Sequence, residues 1–180
     1  RIKLCAAALG ASKAVIENTI KYSNERKQFN LSISNFGAIK YKIAQQAIEI
    51  YATESAMYRA SNDITSMEKA FAKEGIPYSE AILKAAQEFA IECAILKVAG
   101  SEALDYVTDE GVQVYGGYGF SADYPMDRSY RDSRINRIFE GTNEINRLLI
   151  IDMYFKKAMK GELDLMGPAM AVGKELLGIP

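Results

Sequence analysis

Histidine is absent from the 180 residues. Without imidazole there is no Ser/His or Cys/His triad, none of the common zinc sites, and no side chain that ordinarily titrates near neutrality. Any proton transfer in this chain therefore falls to a carboxylate, a lysine or a tyrosine. Cysteine is scarce as well. Cys5 and Cys93 lie far apart in apolar helical surroundings, with no second pair to suggest a disulfide framework or a metal site. Both read as small buried hydrophobes. No apolar run reaches the length of a membrane span, and no signal-peptide pattern opens the chain. The formal charge of −1 offers no general attraction to nucleic acid or to an anionic membrane. An anion bound here must be held by a few well-placed cations.

Only 4 prolines and 13 glycines interrupt the chain, which leaves room for long helices. Hydrophobic residues make up 49%, with Ala, Ile and Leu dominating over Val and Thr, a bias toward helix over sheet. The length suits one domain with its own core. Arg1 opens the chain within a helical pattern and without an initiating Met, which reads as a piece of a longer protein.

Spacing predicts four long helices. Leu4, Ala8, Ala11, Val15 and Thr19 recur at three and four residues in the first, which ends near Arg26. A short polar loop through Asn30 and Ser32 follows. Ser34 is the expected N-cap of the second helix, whose stripe runs Phe36, Ile39, Ile43, Ala47, Ile50 and Met57. Gly75, Pro77 and Ser79 mark a break. The third stripe runs unbroken through Ile82, Ala86, Phe89, Cys93, Leu96, Gly100, Ala103, Val107, Gly111 and Val114. Its small members, Gly100, Ala103 and Gly111, predict close approach of a neighbouring helix. Residues 115–120 should form a loop, and Pro125 should start a short helix over 124–131. Thr142 should cap a last helix reaching about Lys160. Beyond it Gly161, Gly167, Pro168 and Gly173 predict a linker or the start of a further C-terminal helical region, so that residues 1–160 form the domain and 161–180 an appendage. The expected fold is all-α, an up-and-down four-helix bundle. Helices alone leave a purely structural or assembly module open.

Three patches break the periodicity. In Asn24-Glu25-Arg26-Lys27-Gln28-Phe29, the cations suit the negative end of a helix dipole. They equally suit a phosphate, with roughly 1.5–3 kcal/mol per charged hydrogen bond. Gln113-Val114-Tyr115-Gly116-Gly117-Tyr118-Gly119-Phe120 matches neither a P-loop nor the dinucleotide fingerprint. Its glycines could stop a helix or let a flat ligand lie against bare backbone. In Arg137-Ile138-Phe139-Glu140-Gly141-Thr142-Asn143-Glu144-Ile145-Asn146-Arg147, a carboxylate sits between a bulky apolar residue and a glycine just before a helix. Phe139 would desolvate it and favour its neutral form, the helix dipole would favour its charged form, and the sequence does not decide between them.

Taken together, these patches and Tyr130-Arg131-Asp132 resemble, in order and spacing, the C-terminal signatures of the acyl-CoA dehydrogenase family over roughly residues 1–155. The resemblance implies an N-terminal helical domain and a middle β-domain ahead of this bundle, and FAD held between domains and across a subunit interface. By position, Glu140 resembles the catalytic base, Gly141 the residue beside the bound thioester, and Arg1 an arginine contacting the acyl-CoA. Arg26, Lys27 and Gln28 resemble the patch that binds the neighbouring subunit's FAD. Gln113, Val114, Tyr115, Gly116 and Gly117 resemble a second FAD contact, and Thr142, Asn143 and Glu144 a third. Two positions depart: Gly37 stands where many members have a glutamine that contacts FAD, and Asn30 where glycine is usual. Asn35-Phe36-Gly37 and the tail past Lys160 are similar to the very-long-chain branch.

The implied reaction is α,β-dehydrogenation of an acyl-CoA thioester in fatty acid β-oxidation, with Glu140 taking the α-proton and FAD the β-hydride. The implied partners are an electron-transfer flavoprotein and further copies of the chain in a homodimer or homotetramer. The implied location is the cytoplasm of a bacterium or the mitochondrion of a eukaryote. The rivals are an acyl-CoA oxidase that passes electrons to oxygen, and a family-like helical module that catalyses nothing.

Overall fold

The computed structural model describes residues 1–178. Its order is α1 (Ile2–Glu25), a hairpin of β1 (Lys27–Gln28) and β2 (Leu31–Ser32), α2 (Gly37–Lys73), α3 (Tyr78–Glu88), α4 (Ala90–Tyr115), α5 (Pro125–Arg134), α6 (Asn143–Met159) and α7 (Met166–Leu176). Short 3-10 turns occupy Ile33–Asn35, Gly116–Phe120 and Ile135–Arg137. The expected all-α architecture is the one observed.

α4 is the axis of the bundle, packed against α1, α2, α5 and α6. It buries residues on nearly every side, among them Leu96, Gly100, Ala103, Leu104, Val107, Gly111 and Val114. The core joins Leu9 and Val15 of α1, Ile50 of α2, Val107 and Tyr115 of α4, and Met126 of α5. The two glycines, Gly100 and Gly111, act as their spacing predicts. A Cβ on Gly100 would lie 2.9 Å from Cys5 Sγ and 3.1 Å from Cys5 Cα, so α1 passes directly over it. A Cβ on Gly111 would lie 3.0 Å from both Val15 Cγ1 and Met126 Sδ.

Several boundaries differ from expectation. The third stripe is two helices. Phe89 leaves helical geometry at φ −94°, ψ 24°, and α4 starts directly after it. Ser34 lies within a 3-10 turn rather than at a cap, and α2 begins after Phe36 without a side-chain cap. Residues 116–120 coil as a 3-10 turn rather than a free loop. The polar loop after α1 is a two-residue hairpin in which Lys27 faces Ser32 and Gln28 faces Leu31. Its turn residues, Phe29 and Asn30, take φ of 52° and 65°. This is the twist a tight hairpin needs, and asparagine is the residue other than glycine that best tolerates it. Asn30 in place of the usual glycine is thereby accommodated. α7 occupies the segment after Lys160 where glycines suggested a linker or a further helical region.

Candidate active site

The first two patches come together. Where α1 ends, Arg26 sets its guanidinium over the Tyr118 ring, 5.4 Å from the centroid. Tyr118 stacks on Tyr124 at 4.8 Å, and Tyr22 stacks on Tyr115 at 3.9 Å. The tyrosine hydroxyls secure the backbone on both sides: Tyr22 donates to the Tyr115 carbonyl and Tyr115 to that of Asn18, each at 3.3 Å. Burial pushes the Tyr22 hydroxyl above its ordinary range, while the nearby Arg26 charge pulls the other way. The result is a cavity of about 580 Å³ bounded by Arg26, Gln28, Phe29, Tyr115, Gly116 and Gly117 among others. Gly116 turns the chain at φ 61°, and no atom lies within 4 Å of where a Cβ would stand on Gly116 or Gly117. Bare backbone thus faces open space beside a cation and stacked rings. Lys27 and Gln113 are exposed and do not line this cavity.

The third patch is built around a strained turn. Glu140 takes φ 57° and Gly141 φ 85°. A left-handed non-glycine residue costs roughly 1–2 kcal/mol, so the surroundings must hold it. They do so through one carbonyl. The Gly141 oxygen accepts from Lys97 Nζ at 2.8 Å and from Asn146 Nδ2 at 2.8 Å. Immediately after, Thr142 Oγ1 accepts from the Ile145 amide and caps α6, as its position predicts. Asn143 turns inward and is 2% exposed. Its Oδ1 accepts from Lys97 at 2.7 Å, and its Nδ2 donates to Ser101 Oγ at 2.9 Å and to Glu102 at 3.2 Å. Arg147 grips both oxygens of Glu102 at 2.8 Å, and Arg137 pairs with Asp105. Lys97, Ser101 and Asp105, four residues apart, form a polar stripe along α4 that anchors the turn before α6.

The Glu140 side chain is exposed, and Phe139 is itself 39% exposed. Within this chain, then, Phe139 does not desolvate the carboxylate. Glu144 is also exposed. Its acid is held below the ordinary carboxylate range by its own backbone amide and by the Thr142 hydroxyl. Thr142, Asn143 and Glu144 border a second, smaller cavity with Arg134 and Arg137, separate from the one around Arg26. Arg1 is exposed ahead of α1, next to Ile2, which packs against the cluster of Cys5, Ala60 and Leu96, the neighbour of Lys97. It therefore lies at the same end of the bundle as Gly141. Sequence reasoning passed over Lys97, Ser101, Glu102 and Asn146. A signal existed, because Lys97 is the only charge between Glu92 and Glu102, on a helix predicted to be central.

Comparison with known proteins bears on the fold and the family. The family described as "Acyl-CoA dehydrogenase, C-terminal domain" matches residues 1–154. A probable acyl-CoA dehydrogenase of Bacillus subtilis is 48% identical over 177 residues, which is 98% of this chain and 30% of that protein. The mitochondrial very long-chain specific acyl-CoA dehydrogenase of Rattus norvegicus is 38% identical over 179 residues, 99% of this chain and 22% of that protein. A crystal structure of an acyl-CoA dehydrogenase from Bacillus anthracis complexed with FAD superposes with a TM-score of 0.94 at 46% identity, covering 98% of this chain and 30% of that one. The chain thus spans about a third or less of the relatives it matches. With the helical fold and a family match over residues 1–154 in agreement, the chain belongs to the acyl-CoA dehydrogenase family, of which it carries the C-terminal domain.

Proposed function

We propose that the protein containing this chain is an FAD-dependent acyl-CoA dehydrogenase in which Glu140 removes the α-proton of an acyl-CoA thioester. The observation that carries this reading is the Glu140 turn: an exposed carboxylate, on a strained left-handed backbone, braced from behind by donors to the next residue's carbonyl. Strain held in this way is characteristic of functional positions. No histidine is available for the task, and a positioned carboxylate is a competent base.

The residues also fit the cofactor. The Arg26 cavity offers a guanidinium for phosphate, and its open Gly116–Gly117 backbone admits a flat ring system. Arg26, Gln28 and the 114–117 backbone would hold FAD there, with Lys27 and Gln113 at its rim and Thr142 and Glu144 meeting it at the start of α6. The Asn143 side chain is already engaged inside the chain, so its part is to fix that start. When bound, FAD supplies the acceptor for the β-hydrogen, which leaves with its electron pair as hydride. The chain's own work is to receive the α-proton on Glu140 and to seat the thioester beside Gly141, whose lack of a side chain leaves room. Arg1, at the same end, would contact the acyl-CoA. The Arg26 cavity and the Glu140 turn share no lining residue. This separation suits an oligomer in which the Arg26 patch serves the flavin of a neighbouring subunit, in a homodimer or homotetramer. Electrons would then pass to an electron-transfer flavoprotein. The match to very long-chain relatives over 99% of the chain favours that branch. Among the described residues no helix is long and apolar enough to cross a membrane.

The test is Glu140→Gln in the full-length enzyme, mixed anaerobically with acyl-CoA while oxidised-flavin absorbance is followed. Gln keeps the shape and cannot accept the proton. Reduction should slow by about 10²–10⁴-fold with FAD content unchanged. Reduction within a few-fold of wild type would place the base elsewhere. Oxygen uptake by the wild-type enzyme without an added acceptor would identify an oxidase instead.

A further inference from the structure

Lys97 is 1% exposed, on the central helix, and among the described residues no carboxylate lies within ion-pair distance of it. An ammonium buried without a counter-ion in contact is destabilising, and methionine of similar volume would fill the same space more favourably. Burial, aided by the neighbouring Arg1 charge and opposed by those of Glu144 and Glu102, draws the Lys97 ammonium below its ordinary range. Its two partners are neutral oxygens, the Gly141 carbonyl at 2.8 Å and Asn143 Oδ1 at 2.7 Å. Capping α6 does not require it, because Thr142 caps the helix and Ser101 and Glu102 already hold Asn143. What only Lys97 adds is a charged tether from rigid α4 to the peptide beside Glu140.

Resting on the reading of Glu140 as the base, we propose that Lys97 is a positioning residue: it pins the Gly141 carbonyl, with Asn146, so that the left-handed turn presents the Glu140 carboxylate in one direction. Glu140 and Gly141 are both left-handed, and among the described residues the side-chain donors to the Gly141 carbonyl are Lys97 and Asn146. Freed of Lys97, the turn keeps its donor from Asn146 alone, and the carboxylate samples directions that miss the α-hydrogen. Displacement of about 1 Å at a reacting group can slow a reaction about 10²-fold.

The experiment uses the FAD-saturated holoenzyme with Lys97→Met, Glu140→Gln and the double variant, in anaerobic stopped-flow reduction over a range of acyl-CoA concentration. The limiting reduction rate of Lys97→Met should fall about 10- to 100-fold. Its acyl-CoA affinity and FAD content should match wild type. In the Glu140→Gln background the same change should have little further effect, because its target has already been removed. A merely structural role would instead weaken binding, release FAD, or slow both backgrounds alike, and any of these would overturn the proposal. Should Lys97→Met fail to yield holoenzyme, Lys97→Gln, which keeps a neutral donor of shorter reach, is compared in the same way. A wild-type rate for Lys97→Met beside a slow Glu140→Gln refutes the positioning role alone. A wild-type rate for Glu140→Gln refutes the base and the proposal with it.

Discussion

Two glycine-to-alanine substitutions separate what packing contributes from what helix propensity contributes. Gly10 in α1 and Gly100 in α4 are both interior helical residues, so alanine at either gains the same intrinsic term, about 0.5–1 kcal/mol. Around Gly10 no atom lies within 4 Å of the new methyl, and Gly10→Ala should stabilise the isolated chain by that amount. At Gly100 the methyl would stand 2.9 Å from Cys5 Sγ and 3.1 Å from Cys5 Cα. The sulfur could rotate aside, but the Cα belongs to the backbone of α1 and moves only with the helix. Overpacking of this kind costs about 1–3 kcal/mol. Because the propensity terms cancel, the two variants should differ by that full amount, with Gly100→Ala the less stable. Urea unfolding of the 180-residue chain followed by circular dichroism measures both, and equal slopes confirm that the comparison is of like with like. If Gly100→Ala proved as stabilising as Gly10→Ala, the close crossing of α1 over α4 would be wrong.

Other outcomes follow from the site and its surroundings. Arg26→Ala in the full-length enzyme should speed FAD dissociation, while reduction at saturating FAD stays within a few-fold of wild type; unchanged dissociation with slow reduction would sink the phosphate assignment. The Cys5 thiol is fully buried and pushed up to about 11, so iodoacetamide at pH 8 should label it only after denaturation, as peptide mapping would show. Glu144 is held below its ordinary range in the fold, so its stabilising effect is present above about pH 4.5 and is lost as the pH falls through the folded value. Glu144→Gln should therefore lower the melting temperature at pH 7, and the difference from wild type should shrink as the pH is lowered below about 4.5.

The legible parts of the fold were those where local chemistry and tertiary role coincide. Pro125 at the first turn of α5, Thr142 capping α6, and Gly100 and Gly111 beneath α1 were all recognisable, because each residue type has one main use at such a place. The break at Phe89 was not, since the apolar spacing continues across it and a period carries no mark of a single residue out of helix. The hairpin at Phe29–Asn30 escaped because phenylalanine rarely takes a positive φ. For the site, motif order identified the patches but not their grouping. Arg26 and Tyr115 share a cavity, whereas Lys27 and Gln113, each adjacent to a lining residue, are exposed and do not line it. The anchor of the Glu140 turn was hidden for a different reason. Lys97 acts on a residue more than forty positions along the chain, and only the crossing of α4 with α6 makes them neighbours.

The pairing of α1 with α4 also sets a timetable for synthesis. Tyr22 finds its stacking partner, Tyr115, 93 residues later in the chain. At the usual pace of translation that interval lasts roughly 5–20 s. Throughout it the apolar face of α1, with Leu9 and Val15, can meet α2 through Ile50 but still lacks Val107 and Tyr115 of α4. A nascent chain of this design keeps that part of its core incomplete for those seconds, and slowing the ribosome between α1 and α4 lengthens the exposure in proportion.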